Sequence, residues 1–179
     1  MRAFLRDTLF VIIFAAVIVA GQRAIAPKIV VDGPSMNDTL HDGQQIVVNK
    51  MVYRLHEPER GDIIVFYPPN NGKDEYIKRI IGLPGESVEI KDGKVYIHKQ
   101  DGTMMLLTES YVSTPARAFK GETIPTDEYF VMGDNRNNSS DSRGGWTVPF
   151  ENIIGKAWLS VWPPDRWGLV ENSLARAAN

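Results

Sequence analysis

The chain contains no cysteine. That absence excludes a disulfide framework and a thiolate metal site, and it leaves the compartment open. Histidine is scarce: His41, His56 and His98 stand apart, with neither a His-Glu-x-x-His run nor any other spaced ligand cluster, so no metal is expected. Charge of one sign is missing as well. With a net charge of -2 and scattered lysines and arginines there is no basic stripe, which excludes nucleic acid as a partner. Internal repeats and low-complexity tracts are absent, and from Gln44 onward so is any long helical period. What remains, 43% hydrophobic and 23% charged over 179 residues, suits one globular domain with an appendage.

The appendage is at the start. Leu9 to Gly21 is uncharged and apolar on every face, with Arg2 and Arg6 before it and Arg23 after, so it must be buried all round. As a helix those 13 residues rise only ~20 Å against a hydrocarbon core of ~30 Å, so a span also needs its flanks, from about Leu5 to Arg23. A removable signal peptide is the rival reading, because Ala24-Ile25-Ala26 makes an A-x-A site. Pro27 argues against cleavage there, since its fixed φ and missing N–H obstruct a protease reading an extended chain. A second small-residue site, Ala20-Gly21, leaves self-processing open. The favoured reading is a retained anchor with the N-terminus in the cytoplasm.

The rest reads as mainly β, an antiparallel sheet domain with a β-rich excursion. Short apolar runs recur at Gln45–Val48, Asp62–Phe66, Tyr129–Met132 and Ile153–Trp162, the last ended by Pro163-Pro164. Val88–Lys91 and Lys94–Ile97 flank Asp92-Gly93, a strong hairpin signal. The expected organisation is a cytoplasmic stub and anchor at 1–28, a β-rich domain at 29–168 with its excursion at about 92–128, and a frayed polar tail at 169–179.

Three stretches carry chemistry. In Val31 to Leu40, Gly33 and Pro34 fix a turn that holds the Ser35 hydroxyl on a bend, a candidate nucleophile, although most serines so placed only satisfy a local hydrogen bond. In Tyr76-Ile77-Lys78-Arg79-Ile80-Ile81 two cations interrupt an apolar strand, whose alternation puts Lys78 with Tyr76 and Ile80 and Arg79 with Ile77 and Ile81. A solvated edge strand with snorkelling stems would also produce that pattern. Lysine is the useful one to bury: an ammonium desolvated among apolar groups loses its proton readily, whereas arginine stays charged. His41 remains open as an alternative base. The third stretch, Gly133 to Gly145, is thirteen residues without one apolar side chain, leaving directly from a buried strand. Arg136 and Gly145 stand where a calcium loop needs acidic or amide ligands, so that reading fails. Asp134, Arg136, Asp141 and Arg143 could pair with one another into a rigid support.

In order, Gly33-Pro34-Ser35-Met36 with Thr39-Leu40, Arg60-Gly61-Asp62-Ile63-Ile64-Val65-Phe66, Tyr76-Ile77-Lys78-Arg79 with Gly82-Leu83-Pro84-Gly85, and Gly133-Asp134-Asn135-Arg136 with Ser139, Asp141, Ser142 and Arg143 resemble the boxes of bacterial type I signal peptidases, in their small Gram-positive-like form. The resemblance implies a cell-membrane serine endopeptidase, single-pass with its catalytic domain outside, that removes signal peptides from exported preproteins after Ala-x-Ala sites. It implies Ser35 as nucleophile and Lys78 as general base, Ser139 hydrogen-bonded to the lysine, and Asp141 and Arg143 bracing the site, with Arg79, Asp134 and Arg136 as further support. Met36, Leu40, Tyr76 and Ile77 would line pockets for alanine-sized side chains. Partners would be preproteins, the lipid bilayer and nearby secretion machinery, and no cofactor would be needed. Two positions depart from the family pattern. Asp38 replaces a usual proline, and Gly33 replaces a hydroxyl that some members use at the oxyanion, so the Gly33 N–H would have to join that of Ser35. The alternatives are a self-cleaving repressor-like serine-lysine protease and a non-catalytic, membrane-anchored β-domain that binds extended peptides.

Overall fold

The computed structural model describes Thr8, Val11, Ile13 and residues 26–69, 72 and 74–172. Thr8, Val11 and Ile13 are helical, and the rest of the expected anchor lies outside the described residues. Among the described residues no helix is long and apolar enough to cross a membrane.

Two antiparallel sheets make up the domain. The larger joins β1 (Lys28–Val30), β2 (Gln45–Asn49), β11 (Ile153–Trp162), β3 (Ile63–Phe66), β4 (Tyr76–Gly82), β9 (Glu128–Met132) and β10 (Val148–Pro149) in that spatial order, with β12 (Gly168–Leu169) added on β11. The smaller runs β7 (Met104–Leu106), β6 (Lys94–His98), β5 (Ser87–Lys91), β8 (Phe119–Lys120). The sequence places its excursion at about 92–128, whereas the small sheet begins at Ser87. Its founding hairpin pairs Ser87 with His98 and Lys91 with Lys94, so the first arm belongs to it as well. The turn uses Asp92 and Gly93, both at positive φ (51° and 74°), whose twist matches that of the strands.

Apolar surface on both faces of the large sheet is buried, which strict alternation on one strand does not reveal. On β3, Ile63 and Val65 join one cluster with Met36, Leu40, Ile46, Val48 and Ile77, while Ile64 and Phe66 join another with Ile80, Tyr129, Val131 and Val148. A third cluster packs the small sheet through Val88, Ile90, Val95 and Ile97 against Ile81, Phe130 and Met132. Strand β4, shared by all three clusters, therefore has no solvated face, and both of its cations are buried.

The expected tail at 169–179 starts too early. Val170 is buried in the first cluster, and Asn172 accepts from the Ile63 N–H at 2.7 Å while donating to Ala157 O and Val170 O, so hydrogen bonds hold the chain in place to residue 172. Residues 173–179 lie outside those described.

Candidate active site

Ser35 sits in a turn fixed from three sides. Within the turn, the Asn37 N–H donates to Pro34 O at 3.1 Å and the Leu40 N–H to Met36 O at 2.9 Å. From across the molecule, the Asn135 N–H donates to Ser35 O at 3.0 Å and its side-chain amide to Pro34 O at 3.1 Å. Behind the turn, the Gly33 N–H donates to Asp42 Oδ1 at 2.8 Å. That bond corrects the expectation that Gly33 offers a free donor to an oxyanion. The Ser35 N–H donates to no described residue and remains available.

Lys78 comes from the centre of β4 and is 4% exposed. Its Nζ lies 2.8 Å from Ser35 Oγ and 2.8 Å from Ile77 O, and 5.3 Å from the centroid of the Tyr76 ring. Burial pushes its pKa down from 10.5 to about 8, against the opposing pull of Asp141 and Asp134. A lysine in this state is half neutral near pH 8, and a neutral amine 2.8 Å from a hydroxyl can accept its proton. The His41 ring makes no hydrogen bond with any described residue.

The loop 133–145 pairs differently from the expectation that its four charged side chains pair among themselves. Only Asp141 and Arg143 do so, through Arg143 Nε and Nη2 at 2.7 Å each, with Asp141 Oδ2 also accepting the Gly133 N–H at 3.0 Å. Asp134 turns inward and takes Arg79 in a two-pronged pair at 2.9 and 2.8 Å, and Thr39 Oγ1 donates to it at 2.6 Å. Arg136 reaches Glu109 in the excursion at 2.8 and 2.5 Å. Arg79 and Arg136 both lie by the ring of Tyr111, at 4.0 and 6.0 Å from its centroid. The physical reason is burial: Arg79 and Arg136 are almost wholly removed from water and take the carboxylates desolvated against them, whereas the less buried Arg143 is served by its loop neighbour Asp141.

Gly133 is where this loop meets the Ser35 turn. A Cβ there would lie 2.3 Å from Ser139 Oγ and 2.5 Å from Ser35 O, so only glycine permits the approach. The family resemblance implies a hydrogen bond between Ser139 and Lys78. Its Oγ is instead buried without a partner, and Lys78 Nζ is taken by Ser35 and Ile77. Met36 and Leu40, expected to line substrate pockets, are fully buried in the first cluster, where their side chains are the plug that anchors the Ser35 turn. Ile77 is buried beside them and Tyr76 is half-buried. Sequence reading missed Asp42, Glu109, Tyr111 and Asn135. Glu109 and Tyr111 sit in an irregular stretch with no periodic signal, and nothing around Asp42 in the sequence points to the Gly33 N–H.

Comparison with known proteins places the chain in a family. The family described as "Signal peptidase, peptidase S26" matches residues 2–162. A probable signal peptidase I-2 of Synechocystis sp. is 38% identical, covering 92% of this chain and 76% of its own. Signal peptidase IB of Staphylococcus aureus is 34% identical over 86% of this chain and 84% of its own. The crystal structure of a signal peptidase I from Enterococcus faecalis V583 covers 56% of this chain and 97% of its own, with 34% identity and a TM-score of 0.50.

Proposed function

Since the chain belongs to the signal peptidase family, peptidase S26, and is a serine peptidase that removes signal peptides from preproteins, we propose that Ser35 is its nucleophile and Lys78 its general base. The observation that carries this is the 2.8 Å separation of Lys78 Nζ from Ser35 Oγ, with the lysine pKa drawn down to about 8. Neutral Lys78 takes the Ser35 proton as Oγ attacks the carbonyl that follows a small residue. The tetrahedral oxyanion forms next to the free Ser35 N–H. Collapse breaks the peptide bond, and the lysine ammonium gives its proton to the leaving amine. Lys78, neutral again, then deprotonates a water that attacks the ester and releases the signal peptide from Ser35. Asp141, Arg143, Asp134, Arg79 and Arg136 act at one remove, by holding the loop that clamps the Ser35 turn.

The substrate meets this site at a membrane. Supporting that are the apolar run Leu9 to Gly21 and three exposed tryptophans, Trp158, Trp162 and Trp167, beside exposed Leu169. Amphipathic indoles settle at the headgroup level. Trp146, by contrast, packs against Phe66 inside the domain.

A single experiment decides the chemistry. An acylating probe incubated with the protein should label Ser35, and Ser35→Ala and Lys78→Met should each abolish both labelling and cleavage of an Ala-x-Ala preprotein. Cleavage by Ser35→Ala would overturn the assignment, and a protein that binds the preprotein without ever being labelled would be the peptide-binding β-domain.

A further inference from the structure

Beside the Ser35 turn lies a cavity of about 350 Å³ to which loop 133–145 and the strand entering β8 both contribute. Ser139, one of its walls, packs at Gly133, where a Cβ would meet both Ser139 Oγ and the Ser35 carbonyl oxygen, so this wall of the cavity backs onto the Ser35 turn. Three arginines line it: Arg117, Arg136 and Arg143. Two are already answered, Arg136 by Glu109 and Arg143 by Asp141. Arg117 has no ion pair or hydrogen bond with any described residue, so the cavity carries an unbalanced positive charge whose guanidinium can take both oxygens of a carboxylate.

We propose that this cavity is a subsite for an acidic side chain of the substrate polypeptide, held by Arg117 near the Ser35 that cuts it. The proposal rests on the reading of Ser35 as nucleophile. An extended chain advances ~3.3 Å per residue, so the three residues on either side of the scissile bond reach ~10 Å from Ser35. A peptide is favoured over the other anion at hand, a lipid headgroup, by position. The cavity opens off the loop after β9, whereas the exposed tryptophans lie on and after β11, with β3 and β4 between them.

The test uses the full chain in detergent and a peptide series with one Ala-x-Ala site, in which Glu, Gln or Lys is stepped through three positions on each side of the scissile bond. The readout is the ratio of kcat/KM for the Glu and Lys peptides within each protein, which cancels a general change in activity or folding. In the native protein one position should favour Glu by about fivefold, as for a partly screened ion pair. Arg117→Glu should invert that ratio at that position alone, Arg117→Gln should flatten it, and added salt should erode it. Equal ratios in the native protein and Arg117→Glu at every position would overturn the subsite. So would weaker binding of Arg117→Glu to anionic phospholipid vesicles with unchanged ratios, which would assign Arg117 to a headgroup. Failure of the native protein to cut even the Gln peptides would instead overturn Ser35 as nucleophile, and the subsite with it.

Discussion

Lys78 and Arg79 are neighbours on one strand, and each is a cation taken out of water, yet the molecule treats them in opposite ways. Arg79, fully buried on the face of Ile77 and Ile81, receives a desolvated carboxylate from Asp134, two carbonyls from Gly61 and Glu171, and the ring of Tyr111. Lys78, on the face of Tyr76 and Ile80, receives one hydroxyl and one carbonyl, and the carboxylates of Asp134 and Asp141 reach it only through space. A fully paired guanidinium is permanent structure. An ammonium left without a contacting counter-ion is kept ready to lose its charge.

Exchanging the two cations for methionine should separate these treatments most sharply. Lys78→Met should lower cleavage by ~10⁴-fold or more, in line with loss of a general base. It should nevertheless leave the protein at least as stable at pH 7. The folded pKa of about 8 lies below the ordinary 10.5, so burying the ammonium costs folding about 3 kcal/mol wherever both states are protonated. That cost is constant below pH 8 and is relieved as pH rises from 8 to 10.5, so native stability should climb across that window and that of Lys78→Met should not. Arg79→Met should do the reverse, costing ~3–5 kcal/mol at neutral pH because Asp134 is left buried and unpaired. Urea midpoints of the three proteins at pH 7 and pH 10 check both statements. A destabilised Lys78→Met would mean that the two cations are structural alike.

The pH profile is a finer probe of the same contrast. With Lys78 titrating at about 8, kcat/KM should rise about tenfold per pH unit at first and level off above pH 8.5. Replacing Arg79 by lysine, which keeps charge but loses the two-pronged geometry, should lower the plateau without moving the midpoint much. The smallest expected effect belongs to Asp42. Asp42→Ala removes the acceptor of the Gly33 N–H and should cost ~1 kcal/mol of stability and a few-fold in kcat with KM little changed, while Asp42→Asn, which keeps an acceptor oxygen, should recover most of it.

Strands were legible in the sequence where local pattern and burial coincide. The hairpin around Asp92-Gly93, the return at Tyr129–Met132 and the last long strand at Ile153–Trp162 all stand where the apolar runs put them. The two-residue strands β8, β10 and β12 carry no periodicity, because two residues cannot show one. The small sheet's first arm was misassigned because a hairpin signal says which segments pair and not which sheet they join. In the site, the stretches holding Ser35 and Lys78 could be picked out by composition, a hydroxyl on a turn and a lysine in an apolar strand. Their supports could not. Glu109 pairs with Arg136 and Asp134 with Arg79 across 27 and 55 residues of chain, and charge alone does not choose among the acidic residues available. Met36 and Leu40 are ambiguous for a related reason: apolar residues beside the Ser35 turn suit a pocket wall and a core plug equally, and both lie in the first cluster, with Leu40 also lining a surface pocket.

The clamp of Asn135 on the Ser35 turn also ties the site to chain made long after it. Asn135 and Pro34 are 101 residues apart, Thr39 and Asp134 are 95 apart, and Ser35 and Lys78 are 43 apart, so the site is closed by contacts of long sequence separation. Contacts of such separation come late in folding, after their closure entropy has been met by cores formed elsewhere. A nascent chain that has emerged only as far as β9 already contains both Ser35 and Lys78 but lacks the loop that shapes the turn. The geometry that brings Ser35 and Lys78 together is thus completed only by chain made after both of them, through the Asn135 and Asp134 contacts.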